Sequence, residues 1–338
     1  MIRGLLSVSA WSILISACAS QSPPEAAPPP APTDSAALPP APVQSSVSPA
    51  PEAAPKAAEP AAPPAPTPVF RVTEGISTPE SVLYDEANDR YLVSNINGVP
   101  NATDNNGYIT EISPDGKVTK AKFIAGGEGK VKLDAPKGSA IAAGILYVSD
   151  ISVVRKFDAK TGAPKGDIAI PGATFLNDVA VAPDGRIFVT DSGVKPGANG
   201  FEPTGTDAVW VIDKSGKPKA LAKGKELNAP NGVVIWEKGV LVNTLTSNQL
   251  YKLDEKGAKA DVTELPDGTL DGLINLGDSL LVSSWKSGAV YQGKLGGKFE
   301  IVLTGFKDGP ADIGFDSKRK RVLVPRFMGN AIEAYDLK

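Results

Sequence analysis

The stretch LNDVAVAPDGRIFVTDSG, residues 176 to 193, sets two apolar runs on either side of Pro183-Asp184-Gly185-Arg186. Alternating apolar and polar positions predict a half-buried strand, and the Pro-Asp-Gly turn predicts that the chain doubles back into a second one. The pattern recurs. Lines of the same kind begin at Pro79 (PESVLYDEANDRYLVSN), Pro136 (PKGSAIAAGILYVSD), Leu176, Pro230 (PNGVVIWEKGVLVNT), Leu270 (LDGLINLGDSLLVSS) and Pro310 (PADIGFDSKRKRVLVPR). Most are followed by a weaker strand pair, such as AVWVIDKSGKPKAL at 208 to 221. Four strands per unit of about 45 residues is the size of a propeller blade. The expected fold of residues 69–338 is therefore an all-β, six-bladed β-propeller with four antiparallel strands per blade. The stretch VFRVTE at 69 to 74 would supply the outer strand of the last blade by pairing with AIEAYDLK at 331 to 338, which closes the ring and removes its sheet edges.

In a propeller the innermost strands all start at one end of the central channel, so the second position of each line should converge on one point. Those positions are Glu80, Lys137, Asn177, Asn231, Asp271 and Ala311. Four of them carry side-chain oxygens that a strand does not need for packing, and polar groups aimed into a narrow channel require partners or water. Carboxylates and amide carbonyls are hard ligands, suited to Ca²⁺, Mg²⁺ or Mn²⁺ rather than to a thiophilic ion. The alternative is that the ND, NG and DG dipeptides only form turns at strand starts. The carboxylate-glycine segments SPDG (113), APDG (182), DKSG (213) and DEKG (254) are read as hairpin turns, not metal loops.

Composition divides the chain ahead of this domain. Of its 31 prolines, 17 fall between Ala19 and Pro68 among alanine and serine, a composition that cannot bury enough apolar surface to offset its ordering entropy and reads as a linker. Before it, residues 1–18 carry Arg3, a short apolar run and small residues leading to Cys18, too short for a membrane span and organised like an export signal. The segment ISAC at 15 to 18 resembles a bacterial lipobox, which implies cleavage and acylation at Cys18. The expected location is a lipid anchor in the outer membrane of a Gram-negative bacterium, with the propeller in the periplasm and the lipid as its only membrane contact.

Histidine is absent and Cys18 is the single cysteine. Serine-histidine and cysteine-histidine nucleophile systems, disulfides and histidine metal sites are excluded for the propeller. The net charge of −3 and the dispersed lysines leave no basic footprint for nucleic acid. A monomer acting on a small molecule is expected.

Taken in order, Glu in PES, Asn in LND, Asn in PNG and Asp in LDG resemble the metal ring of the SMP-30/gluconolactonase family and its relatives diisopropylfluorophosphatase and paraoxonase. The likeness spans the whole domain from residue 69, and the third blade alone resembles an NHL repeat. The resemblance implies one divalent cation, Ca²⁺ before Mg²⁺ or Mn²⁺, held by Glu80, Asn177, Asn231 and Asp271. It also implies a hydrolase of lactones or related esters in which Asp271 serves as general base or nucleophile.

Lys137 departs from that pattern, because a cation in the ring repels a metal ion. It bends to solvent, grips an anionic group of the substrate, or salt-bridges Glu80 or Asp271 in place of the ion. The ends of the second strands, Asn95, Asp150, Asp191, Thr244, Trp285 and Arg326, are expected to rim the pocket, with Lys137, Trp285 and Arg326 as substrate-binding candidates. The long segments 95–107 and 192–207 are lids or plain surface loops. The competing functional expectation is a non-catalytic ligand- or protein-binding propeller, in which any ion is structural or absent.

Overall fold

The computed structural model describes residues 66–198 and 200–337. The export signal, Cys18 and residues 19–65 of the linker lie outside the described residues. Among the described residues the regular elements are β-strands, save one 3-10 turn at Lys225–Leu227.

The strands form six four-stranded antiparallel sheets and one separate hairpin. Each sheet is a blade. The inner strands of the first five blades are Pro79–Asp85, Pro136–Ala142, Leu176–Val181, Pro230–Trp236 and Leu270–Asn275, the first strands of the repeated lines. The sixth blade has a shorter inner strand, Gly314–Asp316, preceded by bridges from Pro310 to Arg326 and from Asp312 to Ser81 of the first blade. Its outer strand is Phe70–Val72, which pairs antiparallel with Ala331–Asp336 through Phe70 opposite Ala334 and Val72 opposite Ile332. The ring closes as the alternation predicted.

The apolar side chains of this closed ring collect into wedges between neighbouring blades. Val154 and Ile168 of the second blade pack with Leu176, Val189 and Trp210 of the third, and Val209 of the third packs with Val242 and Tyr251 of the fourth. Six such wedges surround the channel, and burial of this size and regularity is what holds the blades at fixed angles. The carboxylate-glycine segments are hairpin turns. Asp213 accepts from Ser215 N and Lys217 N, Asp254 accepts from Lys256 N and Ala258 N, and the glycines that follow take positive φ.

Candidate functional site

The inner strands of the first five blades break register where their ring residues stand. The pairing with the second strand shifts between Pro79 and Ser81, Pro136 and Ser139, Leu176 and Val179, Pro230 and Val233, and Leu270 and Leu273. A bulge frees the residues inside it from the in-and-out alternation of a strand and re-aims their side chains. Glu80, Lys137, Asn177, Asn231 and Asp271 all lie inside these bulges.

Polar side chains on the second strands then fix the main chain of the ring. Ser149 Oγ donates to Asn177 O, Thr190 Oγ1 to Asn231 O at 2.6 Å, Asn243 Nδ2 to Asp271 O at 2.6 Å, and Ser283 Oγ to Ala311 O at 2.8 Å. Every one of these bonds crosses from one blade to the next. The glycine after the ring residue makes the approach possible. A Cβ on Gly232 would lie 2.4 Å from Asp271 O, and one on Gly272 would lie 2.3 Å from Ile313 N. The NG and DG dipeptides here serve close packing between blades, and neither glycine has positive φ.

The convergence produces a cavity of about 320 Å³, with Glu80, Lys137, Asn177, Asn231 and Asp271 at its floor. All five are buried. Glu80 Oε2, Asn231 Oδ1 and Asp271 Oδ1 are buried oxygens without a hydrogen-bond partner, although buried polar atoms are nearly always paired. The amide orientations follow from their donors. Asn231 Nδ2 donates to Leu270 O at 2.9 Å, which assigns the unpaired atom as oxygen. Asn177 Nδ2 donates to Ser192 Oγ at 3.1 Å, while that hydroxyl donates onward to Pro230 O at 2.9 Å. Trp285 Nε1 donates to Asp271 Oδ2 at 2.6 Å, with Asn231 alongside, while Oδ1 has no hydrogen-bond partner.

The floor is electrostatically tense. Burial pushes the Asp271 carboxyl up to about 7, with the neighbouring Asp312 adding to the rise and the Trp285 donor opposing it. Burial, then Asp271 and Asp312, carry Glu80 well above the usual carboxylate range, against an opposing pull from Lys137. Farther along the channel, Asp312 is also raised to about 7 by burial and accepts from Ser81 Oγ at 2.6 Å. Asp178 Oδ1 accepts from Val179 N at 2.7 Å and Oδ2 from Val233 N at 2.8 Å. Among the described residues no group of three or more His, Cys, Asp or Glu side chains is placed to hold a metal ion. The floor instead combines two carboxylates with two amides, the donor mixture that suits a hard divalent cation. Three unpaired oxygens in one enclosed space are what such an ion would satisfy.

Lys137 does not bend to solvent; it is fully buried. Its Nζ donates to Ala135 O at 3.1 Å and sits 4.4 Å from the centre of the Phe175 ring. No ion pair joins it to Glu80 or Asp271 among the described residues, so it does not take the place of an ion by pairing with either carboxylate. Burial lowers its pKa, while Glu80 and Asp150 pull in the opposite direction.

The expected rim is displaced by one residue. Asn95 Oδ1 accepts from Ser77 N, Asp150 from Asp134 N and Ala135 N, and Asp191 from Thr174 N and Phe175 N. These strand ends turn inward and tie down the segment leading into their own blade. Thr244 is likewise committed, to Ser247 and Gln249. Arg326 is not brought to the cavity, because its guanidinium is paired with Asp308 and Glu333 and stacks on Phe306.

The wall is built by the next residue along: Ile96, Leu245, Trp285 and Phe327. Trp285 was legible because in that blade the second strand stops at Ser284. Phe175 was missed, although it stands directly before the LND segment. The segment 192–207 folds into a hairpin, Val194–Gly197 with Gly200–Pro203, and contributes Pro196 and Phe201 to the cavity, while the segment 95–107 contributes Ile96 and Pro100.

No family model matches the sequence, and a search of curated proteins finds no match. Solved structures do resemble it. A gluconolactonase from Xanthomonas campestris is 20% identical with a TM-score of 0.60, over 80% of this chain and 89% of that one. A second gluconolactonase candidate is 18% identical with a TM-score of 0.58, over 79% and 90%. Virginiamycin B lyase from Staphylococcus aureus is 13% identical with a TM-score of 0.54, over 80% and 99%. At these identities the likeness establishes the architecture alone, a six-bladed propeller.

Proposed function

We propose that this propeller is a divalent-cation-dependent hydrolase of lactones or related esters. Glu80, Asn177, Asn231 and Asp271 would hold the ion, Ca²⁺ first, with Mg²⁺ or Mn²⁺ as substitutes. The observation that carries the reading is the set of unpaired buried oxygens on Glu80, Asn231 and Asp271 in a single cavity floor. The gluconolactonase neighbours support the choice of reaction. Such an ion, when bound, supplies Lewis acidity to an acyl oxygen that gains negative charge.

The remaining chemistry belongs to the chain. In hydrolysis water adds to the acyl carbon, the ring C–O bond breaks, and the water proton must reach the departing alkoxide to give a hydroxy acid. Asp271 is the acid-base group for that transfer; as the alternative, its carboxylate attacks the acyl carbon while the ring C–O bond breaks, and water then cleaves the resulting anhydride to release the hydroxy acid and restore Asp271. Trp285 fixes its orientation by donating Nε1 to Oδ2, which leaves Oδ1 free to face the reacting groups. The Lys137 ammonium donates to one backbone carbonyl and lies over an aromatic ring, which leaves donors for an anionic oxygen of substrate or product. The apolar walls exclude bulk water and strengthen these interactions. A lipid anchor at Cys18 would hold the monomer on the outer membrane facing the periplasm, and Cys18→Ala should release it from the membrane fraction.

The test is Asp271→Asn. The variant is expected to keep its circular dichroism spectrum and lose turnover on a lactone panel, and full retained activity would reject the proposal. One observation favours a second reading, a non-catalytic ligand-binding propeller: the buried ammonium of Lys137 opposes a cation on the same floor. Metal analysis of the purified propeller separates the two, since a chain that takes up no divalent ion fits only the second.

A further inference from the structure

We infer that the cavity selects a ligand with an apolar chain, a lactone or ester bearing an alkyl or aryl group, over a polyhydroxylated one. The inference takes its reaction from the hydrolase reading and its substrate class from the walls. Apart from Thr269, polar side chains are confined to the floor, where a reacting carbonyl would lie. Above it stand Ile96, Phe175, Leu245, Trp285 and Phe327. The indole N–H of Trp285 is already given to Asp271, and its ring packs on Phe327 with centroids 5.1 Å apart. Pro100 and Pro196 line the same space and lack a backbone N–H. Of the wall side chains, only Thr269 offers a hydroxyl. A sugar hydroxyl entering here would give up its water and find almost nothing to replace it.

A second observation extends the path outward. Two large hydrophobic side chains of the cavity lining are also exposed to solvent, Phe201 at 47% and Met328 at 69%. Phe201 also packs edge-on against Phe175, with ring centroids 5.5 Å apart, so the apolar surface runs without a break from the wall to solvent. A cavity of about 320 Å³ lies at the small end for a ligand site, and a chain too long for it would continue along this rim. Methionine at the outer end adapts to chains of different shape.

The experiment measures kcat/KM with Ca²⁺ for lactones of one ring size: unsubstituted, alkylated from methyl to decyl, and polyhydroxylated. The expected result is a rise of about fourfold per methylene over the first few carbons. The polyhydroxylated lactone should fall at least about tenfold below the alkyl series. Phe201→Ser combined with Met328→Ser, both on exposed loops, should flatten the response to the longer chains. A flat series in the wild-type protein, or a preference for the polyhydroxylated ring, overturns the inference.

If no lactone is turned over, quenching of Trp285 fluorescence by a long-chain lactam decides separately. Saturable quenching by the lactam and none by a sugar upholds the apolar preference while rejecting the hydrolase. Absence of quenching rejects both.

Discussion

The channel holds two pairs of buried carboxylates, and they are treated differently. Asp178 and Asp312 are engaged by the fold: Asp178 receives Val179 N and Val233 N, and Asp312 receives the Ser81 hydroxyl. Glu80 and Asp271, at the cavity floor, each keep one oxygen with no partner at all. Burial raises all four pKa values. What separates the pairs is the destination of their lone pairs, and on the proposed function that difference makes the first pair scaffold and the second ligands of the ion.

The sharpest way to break the comparison is to exchange the consequences. Asp271→Asn is expected to cut kcat/KM by on the order of 100-fold or more while leaving the melting temperature close to that of the parent. Asp178→Ala should do the reverse to stability, because it leaves Val179 N and Val233 N buried without an acceptor. A loss of about 2 kcal/mol is expected, or roughly 4–8 °C in Tm for a domain of this size. If thermal denaturation shows the two variants equally destabilised, the distinction between the pairs fails.

pH sharpens it next. Asp271 and Asp312 titrate near 7 in the folded protein, whereas the unfolded chain releases these protons near pH 4. Without a cation, the folded state therefore holds protons that the unfolded state has lost, and this contribution to stability declines as pH rises from about 4 through 7. On the proposed function, a cation would bind the deprotonated floor. Added Ca²⁺ should therefore raise Tm more at pH 8 than at pH 5, and equal increments at both would contradict the assignment. The smallest expected effect is Lys137→Met, which removes the opposing charge and should tighten the ion on the order of tenfold in a calorimetric titration.

The repeat made the architecture readable. A proline or leucine, a polar residue and a two-strand alternation recur in each line, and the alternation forces one face of every strand into a wedge between blades. The floor was readable for the same reason, as a column in that alignment. The bulges were not, since no residue type at Glu80 or Asn177 announces a register break that depends on the neighbouring blade. The rim was misplaced because strand ends were assumed to face the ligand, while Asp150 and Asp191 turn inward to cap Ala135 N and Phe175 N. Arg326 was a plausible anion receptor until Asp308, 18 residues earlier in the chain, occupied it. Pairings of that kind depend on loop geometry and leave no periodic trace.

The seam in the sixth blade joins side chains 262 residues apart, Arg71 to Glu333. Until the last strand pairs, the blades on either side of this seam face an open gap. Removing Ala331–Asp336 should therefore leave Phe70–Val72 without its partner and loosen the circle together with the floor at its centre.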